Sequence, residues 1–235
     1  MGLLKKYFRK AKFAKNFRIK RNSLENSRFS MEWNDRYPCL NDATSNTGFD
    51  SHYLFHTAWA ARILAKNKPS LHIDISSCLR FVSLVSAFIP IHFYDYRPAQ
   101  LNLSGLQSSQ ADLMNLPFEN NSVESLSCMH VIEHIGLERY GDLFDPEGDL
   151  KAIEELKRVL AIDGHLLFAV PLGEKSIIQY NAHRIYTYEQ ILNYFAGLQL
   201  VNFSYINDAG QYIESSSPQD AIGQIYGCGC FCFKK

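Results

Sequence analysis

Helical and strand-like patterns alternate along this chain from residue 52 to the C-terminus. Strands separated by helices favour an α/β fold in which a parallel sheet is covered by helices on both faces and joined by right-handed crossovers. The hydrophobic fraction of 46% is sufficient for one sizeable core. The predicted helices are His52–Ala65, Cys78–Phe88, Val131–Leu137, Asp149–Leu160 and Tyr188–Ala196, and the predicted strands are Leu71–Ile75, Pro90–Tyr94, Leu106–Asp112, Glu124–Met129, His165–Val170, Leu198–Ile206 and Tyr226–Phe233.

Polar residues follow the predicted strands at the edge where such sheets bind ligands, beyond the carboxyl ends of the strands. Asp95 closes the second strand, where a carboxylate can accept both hydroxyls of a ribose. The alternative for Asp95 is a turn-forming aspartate before Arg97-Pro98. Asp112 closes the third strand and is followed by two apolar residues, a pattern that can hold the edge of an adenine between polar and apolar groups.

A set of short motifs lies between residues 112 and 171. In order, they are Leu116-Pro117-Phe118, the turn Asn120-Asn121-Ser122, the run from Ser127 to His134, the helix end Arg158-Val159-Leu160, and the turn Asp163-Gly164 before a strand that ends at Pro171. As a set they resemble class I S-adenosylmethionine-dependent methyltransferases of the type-11 kind, over roughly residues 70–171. The resemblance implies a Rossmann-like three-layer sandwich, with a seven-stranded, mostly parallel sheet whose last strand is antiparallel. It also implies S-adenosyl-L-methionine as the cofactor.

The loop after the first strand departs from that family, which has glycines there. Ser76, Cys78 and Arg80 occupy the three glycine positions. The small serines are predicted to cap the next helix, so that a cofactor carboxylate reaches its N-terminus, and Arg80 can pair with that carboxylate. Two interpretations follow: a competent enzyme, or a non-catalytic accessory protein of glycan assembly that keeps the scaffold. By resemblance, the cofactor-binding residues are Asp74, Ser76, Ser77, Asp95, Asp112, Leu113 and His130.

Several loops are rich in paired polar and aromatic residues. These segments are Asp35–Leu40, Gly48–Tyr53, Trp59–Arg62, Gly141–Pro146 and His183–Tyr186. They resemble a branch of the same superfamily that occurs among bacterial proteins of saccharide biosynthesis, often labelled as domains of unknown function. This second resemblance implies O-methylation of a saccharide or another small polar acceptor.

Methylation of a hydroxyl requires an aligned acceptor and a base for its proton. Histidine is suited to that role at neutral pH, and two histidines follow the fourth strand four residues apart on a predicted short helix. A carboxylate between them can orient a ring or face the sulfonium charge. For each histidine the alternative is a structural hydrogen bond or a solvated surface position. We predict catalytic roles for His130, His183 and Glu133, and acceptor contacts for Asp50, His52, Tyr53, His134 and Arg184.

Six cysteines are present, and three of them alternate near the C-terminus as Cys228, Cys230 and Cys232. At this period all three side chains point to one face of a strand. Neither the two-residue spacing of zinc sites nor another compact ligand pattern is present. The sequence therefore predicts buried thiols in a reducing cytoplasm and no metal site.

The charge of the chain is divided unevenly, because residues 1–28 carry +9 and the remainder −9. Leu3, Leu4, Tyr7, Phe8 and Ala11 form an apolar helical stripe among these basic residues. Residues 1–20 can lie in an anionic membrane surface, which would place a cytoplasmic protein at the inner membrane face. The alternatives are a helix docked on the acidic body, or a frayed tail. We predict no nucleic-acid partner, no membrane-spanning segment, and three regions: a basic arm (1–28), a helical and loop cap (29–69) and a methyltransferase-like domain (70–235).

Overall fold

The computed structural model describes residues 2–24 and 28–235, with only the backbone described for residues 2–4. The chain forms two compact units, residues 1–49 and 50–235. This division differs from the predicted boundaries after residues 28 and 69. The reason is that helix α2 (Ser51–Asn67) belongs to the sheet-containing unit, where Trp59 and Leu64 enter its hydrophobic core.

The N-terminal unit is built on helix α1 (Gly2–Asn22). Phe17 is 8% exposed and packs edge-on against Trp33, with 5.0 Å between ring centres. Tyr7 and Phe8 are 72% and 67% exposed. The described side chains of the predicted apolar stripe, Tyr7, Phe8 and Ala11, are therefore exposed, and those of Leu3 and Leu4 lie outside the described residues. Among the described helices, none combines the length and the apolar character needed to cross a bilayer.

The second unit contains an eight-stranded sheet and a separate hairpin. In spatial order the sheet is β3-β2-β1-β4-β5-β10-β8-β9. Strands β1 to β5 are mutually parallel, and β10 runs antiparallel between β5 and β8, as predicted for the last strand. The predicted count of seven strands is wrong by one, because the short β9 pairs with β8 at the edge. The strands are β1 (His72–Ile75), β2 (Ile91–Asp95), β3 (Leu106–Gln110), β4 (Val123–Met129), β5 (Leu160–Leu172), β8 (Gln199–Ile206), β9 (Tyr212–Ile213) and β10 (Gly227–Lys234), and the hairpin pairs β6 (Ile177–Gln179) with β7 (His183–Ile185).

Helices cover both faces of this sheet. Successive residues of β5 pack in two separate core clusters on opposite faces of the sheet. Phe168 belongs to the first cluster and Leu167 to the second. The first cluster includes α4 (Gly148–Val159) and α5 (Tyr188–Tyr194), and the second includes α2 and α3 (Leu79–Val85). Helix α5 begins with a capping box, in which the Thr187 side chain accepts the Gln190 N–H and the Gln190 side chain accepts the Thr187 N–H. The predicted three-layer α/β architecture is thus observed.

Candidate functional site

The parallel register aligns the carboxyl ends of four strands at one edge. Ile75 of β1 pairs with Tyr94 of β2, Asp95 of β2 pairs with Gln110 of β3, and β4 continues the row on the other side of β1. The loops that follow these strands are therefore neighbours. This edge carries the residues that the sequence assigns to the cofactor.

Asp74 anchors the first of these loops from inside the protein. Its side chain is fully buried, Oδ1 accepts the Ser77 N–H at 3.0 Å, and Oδ2 accepts the hydroxyl of Ser127. Burial raises the pKa of Asp74 to about 6, against the lowering effect of these hydrogen bonds. Both ring nitrogens of buried His72 are bonded at 2.8 Å to Ser125 and Ser127. Asp74 is thus placed to position the loop rather than to touch a ligand directly.

The loop itself keeps a glycine-like shape without glycine. Ser76 has φ of +55°, in the left-handed region, and its N–H donates to the Tyr94 carbonyl at 2.7 Å. Ser77 Oγ accepts the Met129 N–H at 3.0 Å, which ties the loop to the end of β4. The expected helix cap by Ser76 and Ser77 is wrong, because Cys78 is the N-cap of α3 and makes no side-chain cap bond. Arg80 is exposed on the first turn of α3.

Asp95 and Asp112 both form turns with their own backbone. Asp95 Oδ1 accepts the N–H of Arg97 at 2.7 Å, so the turn-forming interpretation holds for one of its oxygens. Among the described residues, Oδ2 of Asp95 accepts no hydrogen bond. Asp112 is exposed and accepts the Met114 N–H at 2.9 Å. Leu113 is 5% exposed and belongs to the core, which limits the contact it can offer a ligand.

A second feature lies beside this edge, where β4 and β5 end and β10 begins. We call it the histidine cluster. His130 is at its centre, with ring centres 5.5 Å from His52 and 5.0 Å from His56. His134 and His183 also belong to this cluster, and their ring centres are 6.2 Å apart. The cluster consists of His52, His56, His130, Glu133, His134, His183 and Cys228.

His130 is held by two partners in the interior. Its Nδ1 lies 2.8 Å from Glu133 Oε1, and its Nε2 lies 3.2 Å from Cys228 Sγ. Burial opposes the charged ring, but Cys228 and the Glu133 carboxylate outweigh this effect and raise the pKa of His130. The charged ring in turn keeps the pKa of buried Glu133 below its usual value, although burial acts in the opposite direction. In this state His130 holds its proton, which fits a positive group better than the predicted general base.

The predicted short helix around these residues is also different in the structure. His130 has φ of +58° and precedes a single 3₁₀ turn, Ile132–His134. His130 and His134 therefore do not share the face of an α-helix. The left-handed residue turns the chain sharply at the end of β4, and His134 instead donates from Nδ1 to the Ala182 carbonyl at 2.7 Å.

The other histidines of the cluster are neutral. Burial lowers the pKa of His52 to about 4 and that of His56 well below its usual value. Burial also lowers the pKa of His134 and His183. The Nε2 atom of His183 is buried and has no hydrogen-bond partner among the described residues. A neutral ring with an available nitrogen is what a general base requires.

The remaining predicted acceptor contacts have structural partners. Asp50 caps α2 by accepting the Tyr53 N–H at 3.2 Å. Arg184 is 6% exposed, and its Nη1 donates to the Ile135 carbonyl at 2.7 Å. Tyr53, by contrast, is 45% exposed and stacks on His130 with 5.3 Å between ring centres. Of these three residues, Tyr53 and Asp50 are exposed, whereas Arg184 is held in the interior.

Three members of this region were not predicted as site residues. His56 follows His52 by one helical turn, a spacing that was visible in the sequence. Cys228 and Tyr226 come from the far C-terminal end, and the ring of Tyr226 lies 5.1 Å from those of both His52 and His183. Ligand atoms of His52, His130 and Cys228 all lie within 4.8 Å of one another. The prediction of no metal site rests on ligands spaced closely along the chain, whereas these three come from separate segments.

Comparison with known proteins gives a family match and several structural matches. A family model described as "Caenorhabditis protein of unknown function, DUF268" matches residues 113–223. No curated protein matches the sequence. The 1,6-didemethyltoxoflavin-N1-methyltransferase of Burkholderia thailandensis, solved with S-adenosylhomocysteine, has a TM-score of 0.54 at 9% identity, covering 77% of this chain and 78% of that one. A TehB-like S-adenosylmethionine-dependent methyltransferase of Corynebacterium glutamicum has a TM-score of 0.52 at 13% identity, covering 75% and 86%.

The same fold also carries other chemistry. The [4+2]-cyclase SpnF has a TM-score of 0.54 at 13% identity, over 81% of this chain and 85% of that one. At such low identity the matches establish architecture and not activity. The chain therefore has the Rossmann-like α/β fold of these methyltransferases, with antiparallel strands at its C-terminus and one strand more than the predicted seven.

Proposed function

We propose that this protein is an S-adenosylmethionine-dependent methyltransferase that methylates a hydroxyl of a saccharide or another small polar acceptor. The observation that carries the proposal is the backbone of Ser76. A non-glycine residue held at φ of +55° is costly and persists where the surrounding structure requires that shape. In the class I methyltransferases that the sequence resembles, the corresponding loop uses glycine to approach the cofactor. In this chain Ser76 keeps the left-handed conformation that glycine would adopt there.

The chemistry of the strand-end residues fits this cofactor. Asp95 has one carboxylate oxygen left to accept a ribose hydroxyl, and the turn at Asp112 offers a polar group beside apolar Met114 for the base. The exposed Arg80 is available to the cofactor carboxylate. Asp74 acts indirectly, because its carboxylate accepts the Ser77 N–H and so holds the loop in place. When bound, the cofactor supplies an electrophilic methyl group, and the protein must align it with the acceptor and exclude water.

The histidine cluster supplies the groups for the acceptor side. His183 is neutral, with a free Nε2, and is the residue we assign as general base. The hydrogen bond between His130 and Glu133 fixes the orientation of both side chains. Tyr53 and Tyr226 are 45% and 40% exposed and present aromatic faces on which an acceptor ring can pack.

Calorimetric titration of the full-length protein with S-adenosylhomocysteine tests the cofactor assignment. Because hydrogen bonds to charged groups contribute about 1.5–3 kcal/mol, we expect Asp95→Asn to weaken binding by roughly ten- to hundredfold. Glu124→Gln is the matched control, since Glu124 is an exposed carboxylate on the same sheet, at the start of β4. Absence of binding at millimolar ligand, or equal affinity of the two variants, would contradict the proposal; absence of binding would favour the non-catalytic accessory role.

We further propose that α1 brings the protein to an anionic membrane surface on the cytoplasmic side. Tyr7 and Phe8 are exposed between basic residues of this helix, including Lys5, Lys6 and Arg9. Exposed aromatic rings combined with basic charge favour binding at the interface of anionic lipids. Such a position would suit an acceptor that is a lipid-linked glycan.

A further inference from the structure

Three potential metal ligands converge inside the histidine cluster from distant parts of the chain. His52 comes from α2, His130 from the end of β4, and Cys228 from the start of β10. Their ligand atoms all lie within 4.8 Å of one another, and His130 Nε2 and Cys228 Sγ are 3.2 Å apart. Bonds of about 2.0–2.3 Å in a tetrahedral zinc site separate the ligand atoms by roughly 3.3–3.8 Å. Side-chain shifts of about 1 Å would therefore produce coordination geometry.

The orientation of His130 is already that of a metal ligand. Its Nδ1 is bonded to the buried carboxylate of Glu133 at 2.8 Å, which directs Nε2 toward Cys228. Glu133 is 1% exposed, so this carboxylate is fixed in the interior. Metal-bound histidines commonly donate their second N–H to a carboxylate in this way, which sets the tautomer and strengthens the ligand.

His56 provides an independent observation. The side chain is fully buried, and its Nδ1 lies 2.6 Å from the carbonyl oxygen of His52, to which it can only donate. The tautomer is therefore set, and Nε2 carries a lone pair. This nitrogen has no hydrogen-bond partner among the described residues, although its ring lies next to that of His130. A buried acceptor without a partner is destabilising, whereas a bound cation would satisfy it.

We propose that His52, His130 and Cys228 bind one divalent transition metal ion, with zinc as the best match, and that His56, which lies outside the group of atoms within 4.8 Å of one another, completes the site by a larger shift of its ring. Three imidazoles and one thiolate are a donor set that suits zinc, and four protein ligands make a closed site of the structural kind. On binding, the Cys228 thiol and the charged His130 ring each release one proton to solvent, so that a thiolate and neutral imidazole nitrogens bind the ion. The ion would fasten α2 and β10 to the end of β4. This inference does not depend on methyltransferase activity.

Metal content and cobalt substitution test the site on the full-length protein. Elemental analysis of protein equilibrated with zinc and then desalted should give one zinc per chain. After cobalt replaces zinc, we expect a thiolate-to-cobalt charge-transfer band together with the strong visible bands of tetrahedral cobalt. Both should disappear in Cys228→Ser and persist in Cys232→Ser, a matched control because Cys232 is a buried thiol of the same strand.

Two further variants separate loss of the site from loss of the fold. His52→Gln alters a ligand on helix α2 that is 9% exposed, so it tests coordination if Cys228→Ser fails to fold. Glu133→Gln should retain the cobalt bands but weaken zinc binding by about 10–100-fold, as expected for a group that supports a ligand. The proposal is overturned if desalted protein retains no zinc, or if the charge-transfer band survives in a folded Cys228→Ser variant. Neither result decides whether the protein binds S-adenosylhomocysteine, which is measured separately, so the two proposals fail separately.

Discussion

Replacement of Arg184 by methionine should destabilise the protein strongly. Arg184 is 6% exposed, and its guanidinium donates to the carbonyls of Ile135 and Pro146 at 2.7 and 3.3 Å and lies 3.5 Å from a carboxylate oxygen of buried Asp149. Removing one partner of a buried ion pair leaves the other uncompensated and costs about 3–5 kcal/mol. For a domain of this size, that loss lowers the melting temperature by roughly 6–20 °C. Urea unfolding followed by circular dichroism measures the difference directly.

A double-mutant cycle gives the decisive comparison. Asp149→Asn removes the charge that Arg184 compensates, so Arg184→Met should cost about 1–3 kcal/mol less in that background. Arg62→Met is the control, because Arg62 is an exposed arginine whose hydrogen bond, within the part of the chain that the structure describes, stays in its own helix. If Arg184→Met changed the free energy of unfolding by less than 1 kcal/mol, or if the two losses were additive, our structural account of Arg184 would be refuted. A higher KM with unchanged stability would restore its predicted role as an acceptor contact.

Four further predictions concern the loop, the base, buried Asp74 and α1. Ser76→Gly should leave stability within about 1 kcal/mol and keep S-adenosylhomocysteine binding, whereas Ser76→Val should cost about 1–3 kcal/mol in urea unfolding, because a β-branched residue is strained at positive φ; equal stabilities would contradict this reasoning. His183→Gln should lower the rate of methyl transfer by about 10²–10⁴-fold and leave S-adenosylhomocysteine affinity unchanged in calorimetry, and an unaltered rate would remove the residue from catalysis. The pKa of Asp74 is raised to about 6 in the folded protein from 3.8, so its ionisation opposes folding. The stability of the native protein relative to Asp74→Asn should therefore fall by up to about 3 kcal/mol between pH 4 and pH 6.5, and a difference independent of pH would argue against the burial. In vesicle flotation, a double Tyr7→Ser, Phe8→Ser variant should bind anionic vesicles less than the native chain does, while equal binding would exclude the aromatic contribution.

Much of the architecture could be predicted because its signals are local. The apolar periodicity and the Thr187 capping box locate helix α5, and the turn before His165 locates the main part of β5. Strands of two or three residues, such as β9 and the β6–β7 hairpin, carry no periodic pattern and were missed. The side-chain direction of Asp74 was equally inaccessible, because every residue of β1 is buried and the strand lacks the alternation that distinguishes its faces.

The candidate site also has residues that the sequence could predict and residues that it could not. The strand-end rule drew attention to His130, Glu133 and His183, and the structure does bring them into one cluster with His52. Cys228 could not be assigned to that cluster from its local spacing, since its partners lie about 100 and 175 residues earlier in the chain. Whether a histidine is a base, a charged partner or a metal ligand depends on what its second nitrogen touches. That information exists only in the tertiary structure.

The end of β4 links the loop after β1 to the histidine cluster. The N–H of Met129 is bonded to Ser77 in the loop after β1, while the next residue, His130, donates its N–H to the Ala169 carbonyl at 2.7 Å and turns away at φ of +58°. Met129 therefore contacts the loop after β1, whereas His130 belongs to the histidine cluster. The left-handed backbone of His130 separates the two regions. A cation bound at His130 would fix this turn and, through Met129, the loop that carries Ser76. Metal binding and cofactor affinity are therefore expected to be coupled through the backbone, although each has its own ligands.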